Sequence, residues 1–127
     1  MVQKLIWIAA AGGLGSLSRY GLAGLVHRFV GGTFPWGTFA VNALGCLLFG
    51  VIWGLVETRA PFGPQVRAMV LTGFMGAFTT FSTFIFETTE LLRGGQHLAA
   101  LLNLAGQNVL GLACLFLGLA LAHMAIS

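Results

Sequence analysis

The chain has 127 residues, of which 57% are hydrophobic and only 7% are charged. Soluble domains are about one-quarter charged, so this composition excludes an ordinary soluble enzyme, a disordered chain and a secreted disulfide mini-protein. The net charge of +3 reflects scarce acids, since there are three Glu and no Asp. The bases form no cluster, which argues against a nucleic-acid partner.

Four apolar segments follow one another along the chain. Each is long enough to cross a bilayer, which takes roughly 20 helical residues. They predict a single four-helix transmembrane domain over 1–127, with helices at about 4–30, 36–57, 66–92 and 97–126. Connections containing glycine or proline separate them at 31–35, 57–64 and 93–97. Because four short helices enclose almost no interior, any pathway requires a second copy. We therefore expect an all-α, multi-pass membrane protein that forms an oligomer.

The first segment carries Arg19 about halfway along its length. A charge at this depth is costly and usually indicates a function or a helix contact. Arg19 could attract an anion near a pore mouth. It could instead be a structural charge that pairs with a Glu or extends to the interface. We favour the structural role, because a permanent cation in a narrow pore would hold an anion too tightly to conduct well.

The second segment is uncharged and contains Asn42 about a turn and a half from its start. The Asn side-chain amide offers two donors and one acceptor. It could donate to a dehydrated anion, or it could bond to another helix, which is the commoner role of Asn in a membrane. Thr38, one turn earlier, adds a possible rung to a polar track. The residues alone leave both roles of Asn42 open.

The third segment contains residues that form a poor continuous helix. Gly73 and Gly76 precede four hydroxyl residues in the five positions 79–83. A break at membrane depth is tolerated where it is buried in protein or lines a cavity, and its freed carbonyls are typical cation ligands. The hydroxyl groups could instead bond back to the helix backbone, so an unbroken helix remains an alternative.

Phe81 and Phe84 lie three residues apart, on one face of that segment. The positive edge of an aromatic ring could stabilise a small anion weakly. A Phe stripe in a membrane helix more often packs against protein or lipid, so the spacing alone favours packing.

The third and fourth segments contain further polar residues that could have a function. Glu87 and Glu90 share a face, and either a proton-coupled carrier would use such a carboxylate or the acid would pair with Arg19 or Arg93. The fourth segment adds possible polar rungs at Asn103, Gln107 and Asn108. No motif of a hydrolase, a phosphate loop or a metalloprotease is present, so we do not expect an enzyme.

The charges near the helix ends give almost no orientation preference. One side of the membrane would hold Lys4, Arg59 and Arg67, and the other Arg28 and Arg93. Three against two is nearly no positive-inside bias. The chain therefore either has a weakly determined topology or inserts in both orientations, which pair antiparallel.

Three motifs together, at 12–20, 37–45 and 73–87, resemble the Fluc (CrcB-type) fluoride channels. The string Thr-Thr-Phe-Ser-Thr-Phe at 79–84 is the most specific of them. The resemblance implies a channel of the bacterial inner membrane that exports fluoride passively. It also implies an antiparallel, dual-topology homodimer with two pores, a third helix broken near its middle and a central structural sodium ion.

The resemblance also assigns residues. Residues matched to the fluoride pathway or its polar neighbours are Asn42, Phe81, Phe84, Thr38, Ser82, Thr83 and Glu87, with Asn108 added on the fourth helix. Arg19 matches an arginine near the vestibule, and Gly76 and Thr79 fall where backbone carbonyls hold the sodium ion. The chain departs from the family at Ala77, where glycine is common, and in the fourth helix, where serines and often a tyrosine are usual.

Two other functions remain as alternatives. A small multidrug-type, proton-coupled exporter also has four helices and dual topology, but it would use a carboxylate deep in its first helix. Here that helix has Arg19 and no acid. A membrane scaffold subunit without transport would tolerate changes at Asn42, Phe81 and Phe84.

Overall fold

The structure, a computed structural model, describes residues 1–59 and 63–127, and all regular structure within these ranges is helical. The elements are α1 (Val2–Phe29), α2 (Trp36–Arg59), α3 (Pro64–Arg67), a π-helix (Ala68–Met75), α4 (Gly76–Phe78), α5 (Phe81–Arg93) and α6 (His97–Ile126). The predicted connection at 57–64 includes residues 60–62, which lie outside the described residues.

Three helical stretches are long and apolar enough to cross a membrane. They are Trp36–Glu57, Pro64–Arg93 and His97–Ile126. The chain is therefore a multi-pass membrane protein, although hydropathy supports three of the four predicted spans. α1 has the length, at 28 residues, but it is not among the three. Its five glycines and the charge of Arg19 lower its hydropathy.

α2 and α6 form the most extensive helix pair among the described residues. Glycines allow their backbones to approach closely. A Cβ added at Gly50 would overlap the carbonyl of Leu115, and one added at Gly118 would overlap the carbonyl of Leu47. Small residues have this role in membranes because lipid supplies no hydrophobic force between helices, so close packing must hold them together.

α1 packs against the π-helix in a similar way. A Cβ at Gly15 would overlap the carbonyl of Phe74, and one at Gly73 would lie 2.9 Å from the carbonyl oxygen of Ile8. A buried cluster of Val41, Met75 and Phe78 lies between this pair and α2. This cluster thus connects the α1–π-helix pair to the α2–α6 pair, near the end of α4.

The third span is irregular on both sides of α4. Before α4, eight residues form the π-helix, a rare element that is frequent at functional sites and that the sequence did not predict. After α4, Thr79 (φ −84°, ψ 156°) and Thr80 (φ −146°, ψ 115°) are extended. The Thr80 hydroxyl then accepts a hydrogen bond from the Thr83 amide, so Thr80 caps the start of α5.

Candidate ion pathway

A groove of about 350 Å³ lies beside the extended residues, between α2, α5 and α6. The residues that line it are Asn42, Gly45, Cys46, Phe49, Thr79, Thr80, Phe81, Phe84, Gln107, Asn108 and Leu115. Four of the predicted pathway residues therefore share one groove: Asn42, Phe81, Phe84 and Asn108. Its walls are mostly apolar with a few amide and hydroxyl groups, which suits weak contacts to a small ion.

Asn42 is bonded to the backbone of the extended segment. Its Nδ2 donates to the Thr80 carbonyl at 3.1 Å, and its Oδ1 accepts from the Thr80 amide at 2.9 Å. A peptide N–H can only donate and a carbonyl can only accept, so these two bonds define the orientation of the Asn42 amide. Asn42 thereby satisfies a backbone unit that has left the helix, and α2 becomes a support for the segment between α4 and α5.

The second N–H of Asn42 begins a chain of hydrogen bonds that we call the amide relay. Asn42 Nδ2 donates to Gln107 Oε1 (2.8 Å), and Gln107 Nε2 donates to Asn103 Oδ1 (2.9 Å). Asn103 Nδ2 donates to the Thr88 hydroxyl (2.9 Å), which donates to the Phe84 carbonyl (2.8 Å). Asn103 is fully buried, so its polar groups depend on this chain.

The relay contains residues that the sequence interpretation did not assign. The sequence predicts Asn103 and Gln107 as polar residues on one helix face, from their spacing of four residues, but not their connection to Asn42. Thr88 was not singled out, and a lone Thr on a helix gives no such signal.

Phe81 and Phe84 are neighbours but differ in exposure. Their ring centroids are 6.0 Å apart at an interplanar angle of 59°. The Phe84 residue is 5% exposed, whereas Phe81 is 74% exposed in a single copy of the chain. Both rings line the groove, Phe84 from a buried position and Phe81 from an open surface of the single copy.

Thr38 and Glu87 lie together away from the groove. The Thr38 hydroxyl donates to Glu87 Oε1 at 2.6 Å, while Glu87 Oε2 is buried without a hydrogen-bond partner among the described residues. A second cavity, of about 360 Å³, lies beside Glu87 and is also lined by His27, Thr33, Pro35, Glu90, Leu91 and Gln96. The structure thus separates the Thr38–Glu87 pair from the groove around Asn42.

The structure contains the Arg93–Glu90 pair, one of the pairings that the sequence predicts, but no Arg19–Glu pair among the described residues. Arg19 Nε donates to the Ala77 carbonyl at 3.2 Å, so in the described structure its partner is backbone and not a Glu. Ala77 belongs to the last turn of α4, whose carbonyls lack helical partners, and a cation is favourable there. Arg93 pairs with Glu90 at 3.1 Å and leaves Glu87 without a basic partner in that part of the chain.

The remaining predicted residues lie around the extended segment. Ser82 is exposed and Thr83 is half-buried, and neither lines the groove in one copy. Gly76 is exposed and Thr79 is half-buried, with the Thr79 hydroxyl donating to the Met75 carbonyl at 3.1 Å. The described residues contain no group of three or more His, Cys, Asp or Glu that could hold a metal ion.

Known proteins resemble this chain over its full length. Residues 6–119 match the family described as CrcB-like protein, Camphor Resistance (CrcB). A protein of Nitrosococcus oceani is 56% identical over 124 residues, which cover 98% of this chain and 99% of the relative. A protein of Nitratidesulfovibrio vulgaris (strain Miyazaki F) is 58% identical over 93% of this chain and 95% of its own length.

A third relative, from Maridesulfovibrio salexigens, is 49% identical over 99% of this chain and 100% of its own length. All three relatives bear the name fluoride-specific ion channel FluC. Similarity at this level, over essentially whole chains, places the protein among ion channels and not among enzymes. The chain belongs to the CrcB-like family.

Proposed function

We propose that this chain is a fluoride-specific channel of the bacterial inner membrane, through which fluoride leaves the cell passively. The observation that carries the proposal is the groove in which Asn42, Phe81 and Phe84 come together beside an extended backbone. The relatives that bear the name of such a channel support it, because they cover almost the whole chain at close to or above half identity.

The groove offers fluoride contacts that are neutral and therefore weak. The amide N–H of Asn42 that bonds to Gln107 Oε1 can donate to the ion once that bond is exchanged, and the edges of the Phe81 and Phe84 rings carry a partial positive charge. Conduction requires sites that bind an ion well enough to admit it and weakly enough to release it. Asn108, which also lines the groove, gives a further polar contact on α6.

A second copy of the chain completes the pathway in this proposal. Phe81 is largely exposed in one copy, so the groove has an open side. A two-fold pair would cover both open sides at once and would contain two equivalent pores. Ser82 and Thr83, which do not line the groove in one copy, would approach the pore of the pair. An antiparallel arrangement fits the near-even charges at the two sides of the membrane.

α1 is the fourth span of the proposed bundle despite its lower hydropathy. The cost of burying Arg19 falls because its Nε bonds to the Ala77 carbonyl. α1 also packs closely on the π-helix of the third span, through Gly15 and Gly73. Arg19 therefore acts as a structural charge beside the vestibule rather than as a ligand in the pore.

The residues at the end of α4 fit a sodium ion. α4 ends at Phe78 and Thr79 is extended, so the last carbonyls, including that of Gly76, have no following helical turn to accept from. Carbonyls of an unwound segment and the negative end of a helix are established kinds of sodium ligand. Gly76 and Thr79 would supply these oxygens from both copies, and the ion would supply charge that joins the two copies.

Sodium dependence tests that part of the proposal. Replacing sodium with N-methylglucamine during purification should lower the fraction of assembled dimer and the thermal unfolding temperature, because the carbonyls would lose their shared cation. A bulky substitution at Gly76 should have the same effect before it changes ion selectivity. Dimers that remain equally stable without sodium would remove the ion from the proposal.

Thr38 and Glu87 are proposed as polar neighbours of the pathway, at its vestibule. The carboxylate has one oxygen bonded to Thr38 and a second that is buried and free of partners among the described residues. A proton-coupled exporter would use such a group, so Glu87 is the residue on which the exporter alternative rests. Against it, α1 has no acid at all.

Ion efflux from liposomes distinguishes the three functions. Purified protein is reconstituted, the voltage is clamped with a potassium ionophore, and fluoride and chloride release are recorded in parallel. A fluoride channel gives fast fluoride efflux without a proton gradient and negligible chloride efflux. Efflux that requires a proton gradient and is abolished by Glu87→Gln would establish the exporter. Silence toward fluoride in well-folded protein would favour the scaffold.

A further inference from the structure

The Asn42 amide has no N–H left for an ion in this structure. One of its N–H groups bonds to the Thr80 carbonyl and the other to Gln107 Oε1. The bond to Thr80 is one of a pair with the same residue, because the Thr80 amide donates back to Asn42 Oδ1. Breaking that pair would orphan a backbone unit outside the helix, whereas the bond to Gln107 is a single contact between two side chains.

Gln107 therefore occupies the position from which an anion would accept the Asn42 hydrogen bond. Both residues line the groove that contains Phe81 and Phe84. The acceptor there, Gln107 Oε1, is 2.8 Å from Asn42 Nδ2 and is a neutral oxygen. A hydrogen bond to an ion is roughly twice as strong as one between neutral groups, so a dehydrated anion can displace this oxygen.

The rest of the amide relay keeps Gln107 in place after such a displacement. Gln107 Nε2 donates to Asn103 Oδ1, and Asn103 is fully buried and bonded onward to Thr88. The relay has one direction, because the Thr80 peptide dictates which end of the Asn42 amide donates. Oε1 of Gln107 is therefore always the atom that faces Asn42, and it accepts the Asn42 hydrogen bond again when the ion leaves.

We propose that Gln107 is a positioning residue that competes with the permeating anion for Asn42 and so shortens the time the anion stays bound. The proposal rests on the proposed function, since it places Asn42 in the fluoride pathway. Binding of the ion breaks the hydrogen bond between Asn42 and Gln107, and this loss reduces the net binding free energy of the ion. The site is therefore weaker than it would be if Asn42 had an unbonded N–H. A weaker site releases the ion sooner, as conduction requires.

Gln107→Met tests the competition, because it keeps the length and volume of the side chain and removes its acceptor. It also removes the donor to Asn103 Oδ1, which Gln107→Glu removes as well, so the two variants differ at the acceptor. The fluoride concentration that gives half-maximal efflux should fall roughly fivefold, as the loss of one neutral hydrogen bond predicts, and the maximal rate should fall as well. Gln107→Glu keeps an acceptor and makes it a charged one. Its half-saturating concentration should return to the wild-type value or exceed it.

A residue needed only for packing would behave differently. Both variants would then lower the maximal rate, or the amount of assembled protein, without the fall in half-saturating concentration that Gln107→Met alone should show, and that result would overturn the proposal. Failure of the proposed function is separate, since it would show as absent fluoride efflux in the wild-type protein. Wild-type efflux with an unchanged half-saturation in Gln107→Met defeats only the role of Gln107.

A spectroscopic measurement on the wild-type protein covers the case in which the variants do not fold. The chain has four glutamines, Gln3, Gln65, Gln96 and Gln107, and three asparagines, Asn42, Asn103 and Asn108, so selective ¹⁵N labelling of both residue types gives few side-chain amide signals. Titration with fluoride should move one of them, and the Asn42 amide signal should move over the same concentration range. Fluoride that shifts Asn42 and leaves every glutamine signal unchanged would show that Gln107 is not displaced.

Discussion

Single side chains in this protein form hydrogen bonds to peptide groups that, inside a regular helix, would be bonded to other peptide groups. Asn42 bonds both polar groups of Thr80, and Arg19 bonds the carbonyl of Ala77. Each satisfies a peptide group that would otherwise be orphaned at membrane depth, where an unmet hydrogen bond is costly. A residue such as Asn42 can therefore hold the pathway open and contact the ion, and the two roles must be separated by experiment.

Phe81→Ile separates the ring edge from the apolar surface that the side chain provides. Isoleucine is apolar but has no positive ring edge, so fluoride efflux should fall about tenfold while the proposed dimer remains assembled. The measurement is liposome efflux together with size-exclusion chromatography. Phe86→Ile is the matched control, because Phe86 is also exposed on α5 but does not line the groove. Equal efflux in the two variants would contradict the assigned role of Phe81.

Helix pairs in this fold are joined at glycine contacts, so they tolerate little movement. α2 and α6 approach until no Cβ fits at Gly50 or Gly118. The amide relay crosses the same two helices, from Asn42 on α2 to Gln107 and Asn103 on α6. The separation of α2 and α6 therefore sets the length of the Asn42–Gln107 hydrogen bond as well as the packing.

Gly118→Ala should separate α2 from α6, because the new methyl group would overlap the Leu47 carbonyl and lie 2.8 Å from the Val51 amide nitrogen. We expect loss of folded protein, or a thermal unfolding temperature lowered by several degrees, measured in detergent. Gly111→Ala is the control on the same helix, since its Cβ would lie 3.4 Å from Cys46 Sγ, an ordinary contact. Similar destabilisation by both changes would argue against a role for close approach.

In the protein as a whole, the groove of a single copy has an open side, on which Phe81 is exposed. The charges near its helix ends are almost balanced between the two sides of the membrane. Orientation in the membrane follows the excess of Lys and Arg in the loops, so a few added charges should be decisive. The proposed antiparallel pair makes this balance a requirement for assembly.

Two variants with opposite charge bias test the pairing. One carries additional arginines in the loop at 31–35, and the other carries them at the N-terminus. Each variant expressed alone should insert in one orientation and give little fluoride efflux, and co-expression should restore it. The readout is fluoride efflux from vesicles, with orientation followed by a reporter fused to the C-terminus. Full efflux from either variant alone would exclude an obligatory antiparallel pair.

Several features of the structure are of kinds that the sequence could predict, because they depend on local chemistry. Helices were predicted at about 4–30 and 97–126, and the structure has Val2–Phe29 and His97–Ile126. The Gly and Thr content of the third segment marked the region where Thr79 and Thr80 are extended. Long apolar runs and helix-poor residues act over a few positions, so they are visible in one chain.

Other features depend on which helices meet, and these could not be predicted. The bond between Asn42 and Gln107 joins residues 65 positions apart, and its existence depends on the registry of α2 against α6. The sequence predicts that Arg19 pairs with a Glu or extends to the interface, and only the packing of α1 on the third span brings the Ala77 carbonyl within its reach. The π-helix also has no local signal, since its sequence, Ala68–Met75, is composed of ordinary helix and membrane residues apart from Gly73.

The partner of Arg19 has a consequence for biogenesis. Ala77 is synthesised 58 residues after Arg19, which at about 5–20 residues per second takes roughly 3 to 12 s. Throughout that interval the Arg19 guanidinium of the nascent first helix lacks the Ala77 carbonyl to which it donates in the folded protein. If α1 spans the membrane, as proposed, we expect its release into lipid to be costly until the third span emerges and supplies that carbonyl.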